Sequence, residues 1–188
     1  MNTPSHAILN LVAFSEKLRT QASLSILIGA VLPDVPIFIF YFLMKFLYRF
    51  PESKIWGEIY FQPFWQNIVS IFHSIPLALI GVLICHFAKW KIVEIGFTSM
   101  VMHSLLDLPV HNDDAHRHFF PFSNYRFISP ISYWDTNHYG AIVAFVEMSL
   151  VLASSVYLFS VIRSFWGRGL MISVNVVYLF GYFRFYLR

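Results

Sequence analysis

From residue 23 to residue 48 the chain carries only two charged side chains, Asp34 and Lys45, among long aliphatic and aromatic residues. A bilayer crossing needs about 20 predominantly apolar residues, so this run predicts a membrane helix. Near its middle stands Leu32-Pro33-Asp34-Val35-Pro36. Each proline removes a backbone donor and disfavours a straight helix. A carboxylate at the bilayer centre costs about 2.5–3.5 kcal/mol on insertion scales. Asp34 therefore either serves a function or caps the second half of a broken helix, where a break leaves N–H groups free.

The rest of the chain follows the same logic. Only 12% of its residues are charged and 57% are hydrophobic, whereas a soluble domain carries about 25% charged residues. The composition indicates an integral membrane protein in contact with lipids. The net charge of +3 is small and the basic residues are scattered, which excludes a nucleic-acid footprint and suits the flanks of membrane helices. No feature points to a protein partner. Cys85 stands alone in an apolar run and reads as a buried small hydrophobe.

Further spans are expected at residues 67–88, kinked by Pro76, and at 92–110, joined by the turn Lys89-Trp90-Lys91. Another is expected at 140–163, and a last span or interfacial helix at 170–187. Glu147 lies inside the fourth, where pairing with an arginine is expected and a contribution to a site is the alternative. Residues 49–66 mix aromatic and polar groups and read as an interfacial connection. The apolar stretch at residues 7–14 is too short to cross and has no basic region before it, so it does not read as a cleavable signal peptide. Thr3 or Ser5 is the expected cap of its helix, with Pro4 in the first turn, and residues 15–22 form a polar turn. The predicted fold is all-α: one membrane domain, 1–188, a bundle of about four to five spans. Its parts are a helix and a broken or re-entrant helix (1–48), a helical hairpin (67–110), a His-rich lid loop (111–139) and C-terminal helices (140–188).

The chemistry gathers between residues 102 and 139. This stretch holds His103, His111, His116, His118 and His138, with Asp107, Asp113, Asp114 and Asp135, in a chain with ten acidic residues in all. Neutral imidazole and ionised carboxylate are the ligands of borderline and hard divalent metals. His103 and Asp107 are four apart, so they leave one helix face with Cβ atoms about 5–6 Å apart and can reach one ion. Antiparallel second and third spans would bring His73 to the same membrane face as His103, Asp107 and the loop. Ten helical residues rise about 15 Å. If residues 5–14 descend and 24–33 return, His6 and Asp34 finish at one level.

An early His6, the pair Pro33-Asp34, His73-Ser74 on a following helix, and then His103 with Asp107 resemble a known pattern. It is that of the bacterial inner-membrane proteins described as membrane-bound metal-dependent hydrolases. The spacing is similar, more distantly, to the helical zinc-dependent phospholipase C group, where histidines and aspartates from several helices hold a metal cluster that activates water against a phosphoester. The segment DLPVHNDDAHRHFFPFSNYRFISPISYWD also resembles that of a narrower set of small bacterial membrane proteins. Two departures stand out: Val35-Pro36 follow the Pro-Asp pair where the hydrolase pattern has another acidic residue, and the His-rich loop exceeds the minimal pattern. The resemblance implies a bacterial inner-membrane hydrolase that uses a divalent metal, zinc first, with manganese or iron as alternatives. The implied ligands are His6, Asp34, His73, His103 and Asp107, completed or flanked by His111, His116 and His118. Asp113 or Asp114 would act as general base on a small-molecule or lipid-linked substrate. The competing reading is a non-enzymatic membrane protein that binds metal, transports an ion or serves as a scaffold. A carrier requires polar residues through the full depth of the bundle, whereas here they collect toward one face.

Overall fold

The computed structural model describes residues 1–15 and 22–187. Residues 16–21, the body of the expected polar turn, lie outside them. The described residues form helices and no strands. In chain order the helices are α1 (Thr3–Ala13), α2 (Ser23–Val31), α3 (Val35–Phe42), the short α4 (Glu52–Lys54), α5 (Pro63–Phe72), α6 (Ile75–Phe87), α7 (Lys91–Asp107), α8 (Gly140–Val161) and α9 (Phe165–Tyr186).

The prolines set the boundaries. Between α2 and α3 the chain tightens into a 3-10 turn, Leu32–Asp34, and the run then continues through α3 to Leu47. Ser23–Leu47 is thus one apolar helix of 25 residues, tightened at Pro33 rather than folded back on itself. Asp34 stands at the N-terminus of α3 but caps nothing with its side chain. Pro76 acts one turn early, because its ring clashes with the carbonyl four residues before it. The helix breaks at His73-Ser74, and α5 and α6 meet at a bend of 41°. The Ser74 hydroxyl accepts from Leu77 N–H and caps α6.

Among the described residues two helices are long and apolar enough to cross a membrane, Ser23–Leu47 and Gly140–Val161, and the bent α5–α6 pair would make a third. The remaining expected spans fall short for physical reasons. Helix α7 has 17 residues, about 26 Å, and carries Lys91, Glu94, His103 and Asp107. Helix α9 is 22 residues long but interleaves Arg168, Ser173, Asn175 and several tyrosines with its apolar side chains.

Helix α7 is the centre of the bundle, packed between α2 and α6. Its contact with α2 is a seam of small and hydroxyl residues. A Cβ placed on Gly29 would lie 2.1 Å from the Gly96 carbonyl oxygen, so the two backbones touch. Along this seam Ser25 donates to Ile92 O at 2.6 Å and Ser99 donates to Ile26 O at 2.7 Å. Small residues that admit close backbone approach, with hydroxyl donors across the gap, are how helices associate in lipid. Helix α1 packs against α2 and also touches α7, and α8 packs on α1. Ile8, Leu11, Ile26, Val151, Leu158 and Met171 join α1, α2, α8 and α9 in one buried apolar cluster. A second cluster forms where the interfacial connection folds back under α3, built from Phe40, Met44, Ile55, Ile59, Tyr60 and Val69. Cys85 is buried on α6.

Candidate metal centre

Four side chains from three segments converge at one end of α7. Asp34 comes from the proline turn, His73 from the break between α5 and α6, and His103 and Asp107 from one face of α7. Each offers a ligand atom within 4.8 Å of the others, and all four are buried. Asp34 Oδ1 lies 3.4 Å from His73 Nε2 and 3.6 Å from His103 Nε2. Asp107 Oδ2 lies 3.0 Å from His103 Nε2 and 3.8 Å from His73 Nε2.

The backbone decides which nitrogen of each ring faces the carboxylates. His103 Nδ1 donates to the Ala30 carbonyl at 2.8 Å and His73 Nδ1 to the Val69 carbonyl at 2.9 Å. A carbonyl oxygen only accepts, so Nδ1 carries a proton in both rings, and in its neutral form each ring turns an Nε2 lone pair to the carboxylates. Both Nε2 atoms are buried and without a hydrogen-bond partner among the described residues. Lone pairs facing anionic oxygens repel, and a buried unsatisfied acceptor costs about 1–3 kcal/mol. A divalent cation among these four side chains removes the conflict, and the fixed Nδ1–H bonds are the outer partners that metal-bound histidines characteristically have. The donor set, two imidazoles and two carboxylates, suits zinc, manganese or iron; it does not single out one of them.

The second helix break leaves one more carbonyl open beside the site. Leu77 N–H, the helical partner of the His73 carbonyl, turns to Ser74 Oγ instead. The freed His73 oxygen accepts from Ser104 Oγ at 2.9 Å and from His118 Nδ1 at 3.2 Å.

Asp107 also belongs to a second group, with His111 and His116, whose ligand atoms again lie within 4.8 Å of one another. Its Oδ1 is 3.1 Å from His111 Nε2 and 2.9 Å from His6 Nε2. It also lies 2.6 Å from the Met1 amino nitrogen. With Oδ2 turned to the first group and Oδ1 to the second, one carboxylate can bridge two ions. Asp114 Oδ2 stands 3.0 Å from His111 Nδ1, the position of a carboxylate that orients a ligating histidine. Outer partners of this kind are worth about 10–100-fold in metal affinity. Asp114→Asn should therefore weaken metal binding by a factor in that range, read by competition with a chelator of known affinity, while the helical content stays unchanged.

His6 and His118 lie beside these groups rather than in them. The His6 ring stacks on His103 with centroids 3.7 Å apart, and His118 backs His73. Burial, and then the neighbouring His73, depress the loop imidazoles of His116 and His118, the latter to about 4. Both stay neutral at physiological pH, the form that binds metal. His138 and Asp135 pair with each other at 2.6 Å across the short Thr136–His138 turn. His86 pairs with Glu94 at 3.1 Å on the exposed surface.

The loop from His111 to Tyr139 is anchored over the site. Arg117 donates to Ser70, Asn67 and Asn124, and Arg126 to Gln66 and the Ala115 carbonyl. Beneath it is a cavity of about 710 Å³ whose polar lining includes Asp34, His111, Asp113, Asp114 and His116. Its other wall is aromatic, with Phe38, Trp56, Tyr60, Phe61, Tyr133 and Trp134. Asp113 is exposed, whereas Asp114 is half-buried. Among the described residues, no Lys or Arg lines the cavity.

Some contributors had no clear signal in the sequence. Thr3, expected as a cap, instead donates to Asp34 Oδ2 at 2.5 Å, and the N-cap position of α1 falls to Asn2. Asn10, polar within an apolar stretch, donates to Ser99 O and Oγ at 2.9 and 2.8 Å, tying α1 to α7. Glu147 has no basic side chain within ion-pair distance among the described residues, contrary to the expected arginine. Its Oε1 accepts from Asn2 N at 2.9 Å, Asn2 Nδ2 at 3.1 Å and Ser5 Oγ at 2.6 Å. A carboxylate at that end of α1 also suits the helix dipole. Glu147 thus holds the helix that carries His6. No protein-family model, no curated protein and no solved structure matches this chain.

Proposed function

We propose that this chain is a membrane-bound metal-dependent hydrolase acting on a phosphoester of a small-molecule or lipid-linked substrate. It would be akin to the bacterial inner-membrane proteins of that description. The reading includes insertion of α6, α7 and α9 in the bilayer beside the two apolar spans, as a bundle of four to five crossings. The observation that carries it is the pair of buried Nε2 lone pairs, on His73 and His103, turned toward Asp34 and Asp107 and held there by backbone carbonyls. The cavity against the same residues is what separates a working site from a purely structural one, since a catalytic metal keeps an open position.

A bound divalent ion lowers the pKa of water to about 7 and polarises a phosphoryl oxygen. Around it the chain's own residues would divide the work. Asp34, His73, His103 and Asp107 bind, and His111 and His116 extend the ligand set across Asp107. Asp114 orients His111. Asp113, exposed on the cavity wall, takes the proton from water as general base. The aromatic wall holds the apolar part of the substrate and keeps bulk water from the reacting end.

The test is hydrolysis of bis-p-nitrophenyl phosphate and of phospholipid in mixed micelles by the purified protein, before and after chelation. The expected result is turnover lost on chelation, restored by zinc, manganese or iron, and absent from His103→Ala. Turnover that survives both chelation and His103→Ala would contradict the reading.

A further inference from the structure

Beside the metal cavity, across the wall formed by Asn2, Tyr133 and Trp134, lies a second cleft of about 230 Å³ between α8 and α9. Among the described residues its only charged lining residue is Glu147, which is 3% exposed and sits in an apolar span. The carboxylate is half satisfied. Oε1 takes the donors at the start of α1, while Oε2 is buried with no hydrogen-bond partner among the described residues. Around the cleft stand six aromatic rings, those of Tyr133, Trp134, Tyr178, Tyr182, Phe185 and Tyr186. Tyr178, Tyr182 and Tyr186 follow one another at four-residue steps and so line one face of α9.

A carboxylate without a counter-ion, next to a cavity walled by aromatic faces, matches one ligand chemistry. Organic ammonium ions bind aromatic faces through the ring quadrupole, with about 0.5–2 kcal/mol from each well-placed ring. The Glu147 carboxylate in the cleft lining adds attraction that low dielectric strengthens. Anions are disfavoured, since no Lys or Arg among the described residues lines the cleft, and a neutral apolar guest would leave the Glu147 carboxylate unanswered. We infer that the α8–α9 cleft is a binding site for an organic ammonium group, with the aromatic rings as its contact surface and Glu147 as its counter-charge. The site is separate from the metal ligands and does not depend on hydrolysis.

The test uses the whole protein in dodecyl maltoside, which carries no ammonium group. Choline is titrated and binding read by saturation-transfer NMR on its trimethyl protons, with 3,3-dimethylbutan-1-ol as the uncharged isostere. Expected is saturable choline binding, at least ten-fold weaker binding of the isostere, and at least ten-fold weaker choline binding in Glu147→Gln, whose amide oxygen still accepts from Asn2 and Ser5. Equal binding of choline and its isostere, or no choline binding, overturns the inference. Should Glu147→Gln fail to fold, Tyr182→Leu decides, because that hydroxyl makes no hydrogen bond among the described residues; unchanged choline affinity there counts against the site. Reconstitution separates the sources of the group. A lipid-borne ammonium predicts a choline response in phosphatidylglycerol vesicles that vanishes in phosphatidylcholine vesicles, and a free ammonium predicts the same response in both.

Discussion

Asp107→Asn should yield a folded protein that binds no ion tightly at either group and shows no metal-dependent turnover above background. The side chain is nearly isosteric, so packing around α7 is retained. The chemistry is not. Asp107 is the one residue common to both ligand groups, with one oxygen facing His103 and His73 and the other facing His111 and His6. An amide keeps one oxygen as a weak neutral ligand and turns an N–H₂ toward one of the two imidazole sets. The loss should therefore exceed that of Asp34→Asn or His116→Ala, each of which touches one group. It should also exceed the 10–100-fold typical of outer partners. Chelator competition on the three variants checks the order. Equal losses would mean that the two groups do not share the carboxylate.

The second large effect is expected at a residue that offers no ligand atom. Gly29→Ala adds a methyl group that would meet the Gly96 carbonyl oxygen at 2.1 Å and Ser99 Cβ at 2.8 Å. Both are fixed parts of the helix seam, so α2 must move away from α7. Overpacking of a tight contact costs about 1–3 kcal/mol, and a collision with backbone belongs at the top of that range. The displacement also strains Ser99–Ile26 and His103–Ala30, the hydrogen bonds that set the His103 ring. The variant should unfold at a lower temperature in detergent and lose metal affinity together. Gly57→Ala is the control: a Cβ there meets nothing within 4 Å, and both quantities should stay at the parent value. Retained metal affinity in Gly29→Ala would separate the seam from the site.

The two variants mark what could and could not be read from the sequence. The ligand residues stand out because imidazole and carboxylate are costly in apolar sequence and persist there for a reason. The four-residue step from His103 to Asp107 places both on one face without further knowledge. The helical class and the apolar run through residue 47 were equally legible. What failed were features that depend on lengths and neighbours. Pro76 predicts a kink, but not that the break falls at His73-Ser74 and shortens two helices below a crossing. Glu147 reads as half of an ion pair, because nothing in α8 reveals that the start of α1 will meet it. Gly29 and Gly96 look like ordinary glycines of apolar helices until their backbones are brought together. The carbonyls of Ala30 and His73 are least visible of all: Pro33 and Pro76 mark a break near each, but not which oxygen is left to a histidine or a serine.

The central claim is that the end of α7 holds a divalent metal, and metal content tests it most directly. Protein purified in detergent, with Asp107→Asn as the blank, would be analysed by inductively coupled plasma mass spectrometry after dialysis. The account predicts at least one equivalent of zinc, manganese or iron in the parent and none in the variant. A parent that holds no metal, even after incubation with these ions and dialysis, would contradict it. The buried histidines and aspartates would then have to be explained by protons alone.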